Sequence, residues 1–548
     1  MKAQYSLLSL AIASTLALVP AQADAARDAK SAAITRANLL VNGTAATAVR
    51  RASGDAFVAR GASMGAKGTE HVRYQRTYKG LPVIGGDFIV HSRNGKLAGV
   101  TQTLKTSARP SLSARISGDQ AIVEAGAHFG SRFVGAPTAR QVVFARGGIT
   151  PKLAHEVVFN GIKADQTPTE MHFFVDARTG KILDKWDAVE TARPGPGGGG
   201  GNNSCTEAVG TGKSLTEGNV TVDSSKCGNT YRMVDMTRGG GATHNMAMKT
   251  AGMGSVYTDI DNAWGTGLLS NSQTVAVDAH YGVSMTWDYY LNVHDRNGID
   301  GEGTGAISRV HYGRNYANAF WRDSCYCMTF GDGDNGATIL PLVALDVAGH
   351  EMSHGVTSRS AELLYSGDAG GLNEATSDIF GTMVEYYIDN PNDPGDYVIG
   401  EKLFKNNADM SKAIRWMFKP SLDGASYDCY ESAVSSDDPH YSSGVGNHFY
   451  YLLAEGAVVP EGFGAGTWAN LSTSDMVCNG NTSLAGIGRD KAERIWYVAL
   501  TDYMVEDTDY PGARAATVSA ATDLYGAGSA EVQAVEAAWD AVSVAAPI

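Results

Sequence analysis

The sequence predicts an α+β protein of several domains, in which a strand-rich lobe is followed by a helical lobe. Three observations predict this fold class. The chain has 548 residues, which is more than one hydrophobic core usually serves. A glycine-rich stretch, ARPGPGGGGGNNS, interrupts it at residues 192–204. From Pro341 onward, the spacing of apolar residues changes from the alternation of strands to the period of helices.

The first segment, residues 1–23, has the features of a signal peptide. Lys2 supplies a positive charge, residues 7–19 form an apolar run, and Ala21-Gln22-Ala23 is a small-x-small cleavage site. A first membrane helix is the alternative, but the run is shorter than the ~20 residues that span a bilayer. No later stretch is long and apolar enough to do so. We therefore expect a secreted protein that has no membrane contact after the signal is removed.

Residues 24–190 predict an α+β segment, either one unit or two small ones divided into 24–105 and 106–190. Runs such as PVIGGDFIVHS and KLAGVTQTL alternate like strands, and residues 119–129 predict a helix. Further strand-like runs follow, and DARTGK between two of them predicts a hairpin. Five consecutive glycines then predict a flexible, exposed linker at 191–204, where proteolytic processing is expected.

Charge divides the chain at the same place. Residues 1–193 carry 25 Lys and Arg against 14 Asp and Glu, a net charge of +11, whereas the remainder has a net charge of −25. The two parts are expected to attract each other, although two unrelated domains would show the same contrast. A total net charge of −14 argues against a general nucleic-acid-binding protein.

The acidic part predicts two lobes with a cleft between them: residues 205–360, rich in short strands with one helix at 272–292, and residues 361–548, mainly helical. All six cysteines lie here, which in an exported protein indicates disulfides. Six cysteines allow 15 pairings, so the connectivity stays open; Cys205 with Cys227 is the local choice. Cys429 with Cys478 would leave Cys325 and Cys327 as an unusually close pair. A zinc knuckle is the alternative, but two C-x-x-C arms are absent.

His350-Glu351-Met352-Ser353-His354 is the central motif. Two histidines four residues apart on a helix share one face and can bind one metal ion, with Glu351 beside them to act on a water. The third ligand is expected from the next helix, where Glu374 and Asp378 lie one turn apart. Glu374 can bind the metal while Asp378 accepts a hydrogen bond from a ligand histidine. Solvated helices with incidental polar residues would be the alternative.

These segments resemble the thermolysin family of zinc endopeptidases, closest to its elastase-like and vibriolysin-like branch. The matching stretches include NAFW, LDVAGHEMSHGVT, GGLNEATSDIFGTMVEYY and HYSSGVGNHFYYLLAEG. The basic part resembles the family's propeptide, through GLPVIGGDFIVH in its first unit and FFVDARTGKILDKWDA in a PepSY-like second unit. The resemblance implies a two-lobed thermolysin-like catalytic domain, preceded by an α+β propeptide that assists folding and inhibits.

The resemblance also implies the site residues. One zinc ion would be held by His350, His354 and Glu374, with Asp378 behind them. Glu351 would be the base for the zinc-bound water, Tyr365 and His440 would stabilise the oxyanion, and Asp438 would orient His440. Substrate would be bound by Asn318, Ala319 and Arg415. Leu342, Val347 and Ile399 would line a primed-side pocket for bulky apolar side chains, although they would equally suit a core. His448 is interpreted as structural.

One or two structural calcium ions are implied as well, with Asp346, Glu385 and Asp396 as carboxylate ligands and the Val398 carbonyl as a possible further one. Separate solvated acidic residues are the alternative. Thr382 replaces an acidic ligand of the elastase-like branch, and Glu401 resembles a ligand of thermolysin, so the number of ions stays open.

The expected function is therefore a secreted, monomeric zinc endopeptidase, made as a zymogen and acting on proteins and peptides. A zinc exopeptidase is the first alternative, but the G-x-M-E-N motif of metalloaminopeptidases is absent. A non-catalytic relative that binds proteins is the second, and the intact Glu351 argues against it.

Overall fold

The structure is a computed structural model that describes residues 18–189 and 205–547. Most of the predicted signal peptide and the whole predicted processing linker lie outside these residues. The chain divides into two units: residues up to 112 together with 142–152, and residues 113–141 together with those from 153 onward. Within the described part, no helix is both long enough and apolar enough to cross a membrane.

The first unit packs one helix against a sheet. Helix α1 (Leu18–Asn42) places Ala33, Ala37 and Val41 in a core with side chains of the strands. This helix is not predicted from the sequence, because a face built largely of alanine gives weak hydrophobic periodicity. The strands are mostly antiparallel, and Val143 and Phe144 of the last one pair in parallel with the third. They are β1 (Asp55–Met64), β2 (Glu70–Tyr78), β3 (Leu81–Ile84), β4 (Phe88–Arg93), β5 (Lys96–Thr101) and β7 (Thr138–Phe144).

The second unit begins with a smaller α+β segment. Helix α2 (Gly118–Gly126) starts with a capping box between Ser117 and Gln120, and it confirms the helix expected at 119–129. The strands form antiparallel hairpins, including the one expected at DARTGK. They are β6 (Arg132–Phe133), β8 (Lys152–Ile162), β9 (Pro168–Asp176) and β10 (Ile182–Asp187).

The strand-rich lobe contains two sheets and one long helix. The five-stranded sheet has the order β17-β13-β12-β11-β18, and the six-stranded sheet has the order β14-β15-β19-β21-β20 with β16 beside β15. Helix α3 (Ser272–His294) packs against strands of both sheets, and it confirms the helix expected at 272–292. The strands are β11 (Thr206–Lys213), β12 (Asn219–Cys227), β13 (Thr230–Arg232), β14 (Val234–Asp235), β15 (Gly241–Asn245), β16 (Ser255–Val256), β17 (Thr258–Asp259), β18 (Ala263–Trp264), β19 (Ile307–Tyr312), β20 (Ala319–Arg322) and β21 (Cys327–Gly331).

The helical lobe follows, as the change of periodicity predicts. Its core contains large buried aromatic side chains, among them Phe380, Phe449, Trp496 and Trp539. The helices are α4 (Leu345–Ser358), α5 (Gly367–Ile388), α6 (Pro439–Ser442), α7 (Gly444–Glu455), α8 (Arg489–Val498), α9 (Tyr510–Tyr525) and α10 (Ala530–Ala541). A two-stranded sheet joins β22 (Val398–Ile399) to β23 (Arg415–Trp416), and short 3-10 helices include Glu401–Leu403, Pro420–Asp423, Val434–Ser436 and Thr473–Met476.

The six cysteines form three disulfides. Cys205 pairs with Cys227 and Cys429 with Cys478, which leaves Cys325 bonded to Cys327 across a single residue. The cysteines are therefore structural cross-links, and the zinc-knuckle alternative is excluded.

Candidate active site

Close packing of α4 on α5 brings the predicted metal ligands together. A Cβ at Gly381 of α5 would lie 2.5 Å from the carbonyl oxygen of Asp346, and one at Gly349 would lie 3.0 Å from the Gly381 Cα. Only glycine permits this distance between the two backbones. Gly349 lowers the intrinsic helicity of α4, but its lack of a side chain is what allows α4 to pack closely on α5.

Three donor atoms face one another in the resulting cluster. His350 Nε2 lies 3.0 Å from His354 Nε2, and each of these nitrogens lies 3.5 Å from an oxygen of Glu374. All three side chains are buried, and their donor atoms lie within 4.8 Å of one another. The structure thus brings together the three residues predicted to hold zinc.

The outer nitrogens of both histidines are occupied. His350 Nδ1 lies 2.8 Å from Asp378 Oδ1, as predicted, and His354 Nδ1 lies 2.8 Å from Asn373 Oδ1. Because a carboxylate and an amide oxygen only accept, each Nδ1 carries the proton and each Nε2 presents a lone pair. The role of Asn373 as the outer partner of His354 is not predicted from the sequence, and its position directly before Glu374 is the one signal for it.

The cluster fits a cation. Two lone pairs 3.0 Å apart repel each other unless a positive charge lies between them. Glu374 Oε2 is buried and has no hydrogen-bond partner among the residues that the structure describes. Burial alone would raise the pKa of Glu374, but the neighbouring His440 and the Arg415 guanidinium help to hold it well below its usual range. Two imidazoles and one carboxylate are the donor set of a catalytic zinc site.

Glu351 lies beside this cluster. Its side chain is buried, and its Oε2 has no hydrogen-bond partner in the described part of the chain. Burial raises the pKa of Glu351 to about 7. The position of this carboxylate leaves one oxygen available to a bound water or substrate.

Tyr365, His440 and Asp438 form a second group on the other side of Glu374. His440 Nδ1 lies 2.7 Å from Asp438 Oδ1, and its Nε2 lies 3.3 Å from the Tyr365 hydroxyl, which donates to Glu374. The His440 side chain is 48% exposed. Desolvation would lower its pKa, but the carboxylates of Glu374 and Asp438 raise it. The His440 imidazole and the Tyr365 phenol therefore lie beside the donor cluster.

The three donor residues line a cavity of about 610 Å³. The residues predicted to bind substrate, Asn318, Ala319 and Arg415, line it as well. Asn318 is exposed and precedes β20, whose first residue is Ala319. Arg415 is buried and donates through Nε and Nη2 to Asp378. Leu342, Val347 and Ile399 also contribute to the wall. His448 lies apart from these residues, with both ring nitrogens against backbone carbonyl oxygens.

Residues of the smaller α+β segment form the opposite wall of this cavity: Lys163, Thr167, Lys185, Trp186, Asp187 and Val189. Val189 packs with Met246, Tyr312, Tyr316 and Phe320 in one apolar cluster. The segment that precedes the predicted processing linker therefore covers the cleft.

A second group of carboxylates is shared by α4, α5 and the turn after β22. Oxygens of Asp346, Glu385 and Glu401 lie within 4.8 Å of one another and are buried. Burial and mutual repulsion raise the pKa of Glu385 and of Glu401 well above the usual range. Neither oxygen of Glu385 has a hydrogen-bond partner among the described residues. Hard oxygen donors of this kind fit calcium.

The composition of this group differs from the predicted set. Glu401 completes the close triad, whereas Asp396 lies outside it, although its charge raises the pKa of the other three. Asp393 and Glu217 also belong to the acidic surroundings and were not predicted. Glu217 is distant in sequence, so only the fold could reveal it.

Comparisons with known proteins identify the family of this chain. Three family models match the chain: the thermolysin metallopeptidase catalytic domain at residues 209–358, the thermolysin metallopeptidase α-helical domain at 361–544, and the fungalysin/thermolysin propeptide motif at 55–104. A solved precursor of protealysin, a metalloproteinase from Serratia proteamaculans, is 29% identical with a TM-score of 0.42, covering 56% of this chain and 87% of that one.

Two relatives extend the match to most of the chain. A transglutaminase-activating metalloprotease of Streptomyces mobaraensis is 47% identical over 484 residues, which are 87% of this chain and 59% of that protein. A thermolysin of Bacillus sp. (strain EA1) is 35% identical over 491 residues, or 86% and 83% of the two chains. The predicted fold, the zinc and calcium cofactors and the propeptide are thereby confirmed. The chain belongs to the thermolysin family of metallopeptidases.

Proposed function

We propose that this chain is a secreted zinc endopeptidase, made as a zymogen, that prefers bulky apolar residues on the primed side of the cleaved bond. One observation carries the proposal: the buried carboxylate of Glu351, with one oxygen unpartnered among the described residues, lies next to the three-donor cluster in a substrate-sized cleft. A base, a metal site and oxyanion donors are the parts that hydrolysis of a poorly electrophilic amide requires.

His350, His354 and Glu374 would hold the zinc. When bound, zinc supplies a Lewis acid that polarises the substrate carbonyl and makes water more acidic. Glu351 takes a proton from the attacking water as the new C–O bond forms. It then delivers that proton to the leaving nitrogen as the C–N bond breaks, so that an amine leaves and the carboxylic acid formed gives its remaining proton to solvent.

His440 and Tyr365 supply hydrogen bonds to the oxyanion of the tetrahedral intermediate. Asp438 supports this role, because a carboxylate bonded to Nδ1 favours the doubly protonated ring, in which Nε2–H can also donate toward the cleft. Donors placed where negative charge develops are worth about 3 kcal/mol each.

Substrate is held along the edge of the six-stranded sheet. β20 is the last strand of that sheet, so its free edge can pair with an extended peptide through Asn318 and Ala319. Leu342, Val347 and Ile399 line the cavity near the donor cluster, and their apolar surfaces support the preference for bulky apolar residues.

The zymogen part of the proposal is supported by the segment that covers the cleft. The side-chain amide of Gln166 donates to the Arg314 carbonyl at 2.8 Å and accepts from the Arg314 N–H at 3.1 Å. Thr167 contacts the Tyr316 hydroxyl at 3.1 Å. Together with the packing of Val189, these contacts hold residues 153–189, the front segment, over the cavity until the chain is cut within 191–204.

The test is hydrolysis of an internally quenched peptide with blocked ends by the processed protein. Glu351→Gln is expected to lower kcat by roughly 10²–10⁴-fold while zinc content is retained. Glu207→Gln, on the exposed face of β11, serves as the matched control and should keep full activity. A chelator should abolish cleavage and added zinc should restore it. Absence of cleavage by zinc-loaded wild type would instead favour an exopeptidase or a binding protein, which unblocked peptides would separate.

A further inference from the structure

The Cys325–Cys327 disulfide closes the turn between β20 and β21. β20 is the strand proposed to bind substrate. β20 and β21 pair antiparallel with Arg322 opposite Cys327, so residues 323–326 form the turn. The two cysteines have a Cα–Cα distance of 5.2 Å. Ala319, at the other end of β20, faces the cleft. The turn is therefore one short strand away from the residues proposed to bind substrate backbone.

The same turn is fastened to the end of the zinc-binding helix. Asp323 is buried and accepts hydrogen bonds from Trp321 Nε1 at 2.6 Å, from Ser358 Oγ at 3.0 Å and from Arg359 Nη1 at 2.9 Å. Ser358 is the last residue of α4, and Arg359 caps it. The turn thus joins β20 to the helix that carries His350, Glu351 and His354.

Trp321 and Tyr326 fill the space between these two elements. A Cβ at Gly355, directly after His354, would lie 3.0 Å from Trp321 Cζ2, so the indole rests on the helix backbone. The Tyr326 ring meets Trp321 edge-on at 5.3 Å and lies under the Arg359 guanidinium at 5.6 Å. Tyr326 therefore extends the contact from the turn to the helix end.

The backbone of Tyr326 is held in a conformation that aromatic residues rarely adopt. Its φ is 50°, in the left-handed region. The residue is enclosed by its two bonded neighbours, its N–H donates to the Asp323 carbonyl, and its carbonyl accepts from Ile307 of β19. Such a conformation persists only where the surroundings determine it, and it favours a positional role for the turn.

We propose that the turn of residues 323–326, closed by the Cys325–Cys327 disulfide, is a positioning element for substrate binding, which holds edge strand β20 in register with the zinc-binding helix. The proposal rests on the proposed endopeptidase function. Opening the turn is expected to loosen β20 and weaken peptide binding, while the groups on α4 and α5 that carry out the chemical step keep their places.

Global stability should change little. A disulfide stabilises mainly by restricting the unfolded chain, and the effect grows with the length of the closed loop. Cys325 and Cys327 are separated by 2 positions, whereas Cys205 and Cys227 are separated by 22. Removing the short bridge should therefore lower Tm less than removing the longer one.

The experiment compares the processed holoenzyme with a Cys325→Ser, Cys327→Ser variant, and uses Cys205→Ser, Cys227→Ser as the matched control. The first variant is expected to raise KM roughly three- to tenfold with kcat within about twofold, and to speed amide hydrogen exchange at residues 319–322. The control is expected to lower Tm more and to leave KM and the exchange of β20 unchanged.

An unchanged KM with unchanged exchange in the first variant overturns the proposal, as does a fall in kcat at constant KM. If that variant does not fold, the folded wild type is reduced with a phosphine that does not bind zinc, and alkylation at Cys325 and Cys327 is verified by mass before KM is measured. Because hydrogen exchange needs no activity, an inactive wild type would overturn the endopeptidase function while still showing whether the disulfide holds β20.

Discussion

The buried carboxylate of Asp378 accepts hydrogen bonds from three side chains of the site: His350, Arg415 and Asn447. Its Oδ1 accepts from His350 Nδ1 and Arg415 Nη2, and its Oδ2 accepts from Arg415 Nε and Asn447 Nδ2. Burial alone would raise the pKa of Asp378, but the Arg415 charge and the His350 hydrogen bond hold it well below its usual range. The carboxylate therefore stays charged and fixes the tautomer of a zinc ligand.

Asp378→Asn should lower zinc affinity about 10–100-fold, because the outer partner of His350 loses its charge. Competition with a chelator of known affinity measures the loss. Asn447→Ala removes a neutral donor from the same carboxylate and should change zinc affinity by less than about threefold. An equal loss in both variants would show that packing at this position, rather than the bond to His350, controls the metal.

His172 makes the front segment sensitive to pH. Burial would lower the pKa of His172, but the hydrogen bond to Glu156 and the nearby carboxylate of Glu170 raise it to about 9. Folding favours the protonated form of His172. The stabilisation of the folded state by this proton is therefore fully present below about pH 6.5 and is lost as the pH rises through about 9.

We expect the protection of β9 amides against hydrogen exchange, corrected for intrinsic rates, to fall between pH 6.5 and 9.5 in the precursor. The free energy involved is at most about 3–4 kcal/mol. In the His172→Asn variant, the β9 amides should already be less protected at pH 6 than in wild type, and their protection should change little up to pH 9.5. A wild-type profile that is flat across this range would contradict the role of the histidine.

At the scale of elements, α4 and α5 share both metal sites. Asp346 lies one turn before His350 on α4, and Glu385 lies on α5 beyond Glu374. Their buried carboxylates repel each other unless calcium is bound, so the same interface that aligns the zinc ligands depends on a second cation.

Glu385→Gln should therefore have opposite effects on Tm in two conditions. Without calcium, removing one charge relieves repulsion and raises Tm by a few degrees. With calcium, the variant loses a ligand and melts below wild type. Differential scanning fluorimetry with and without calcium measures both signs. Equal destabilisation in both conditions would indicate loss of packing instead of loss of a ligand.

The β8–β9 turn holds the front segment through Gln166. The backbone φ of Gln166 is 77°, a value that glycine adopts freely. Gln166→Gly should therefore keep the turn intact while removing both side-chain hydrogen bonds to Arg314. Two neutral hydrogen bonds correspond to roughly a 5–30-fold larger undocked population. We expect a shorter lag before activity appears in purified precursor. Ala164→Gly in the same turn is the control, and an equal shortening there would refute a specific contact.

At the scale of the whole molecule, the predicted cut within 191–204 separates a basic segment from an acidic enzyme. The full chain is expected to be inactive or weakly active until that cut, because residues that precede the linker line the cleft. N-terminal sequencing of the secreted, active form tests this. A start near Asp24 together with full activity would contradict it.

Most of the fold class was predictable from local pattern. The change from two-residue to helical periodicity marked the two lobes, and the runs around 272–292 and 345–358 became α3 and α4. The alanine-rich helices α1 and α9 were not predicted, since their buried faces differ little in hydrophobicity from their exposed ones. The boundaries proposed for the domains stay predictions.

The sequence by itself determined which groups could bind zinc, because His350 and His354 share a helix face and Glu374 with Asp378 share another. Only the tertiary structure decided how these faces meet, through the contact of Gly349 with Gly381. It also added Asn373, Asp393 and Glu217, and placed Gln166 on Arg314. The reason is physical: spacing along one helix is set by its geometry, whereas a partner from another element depends on packing.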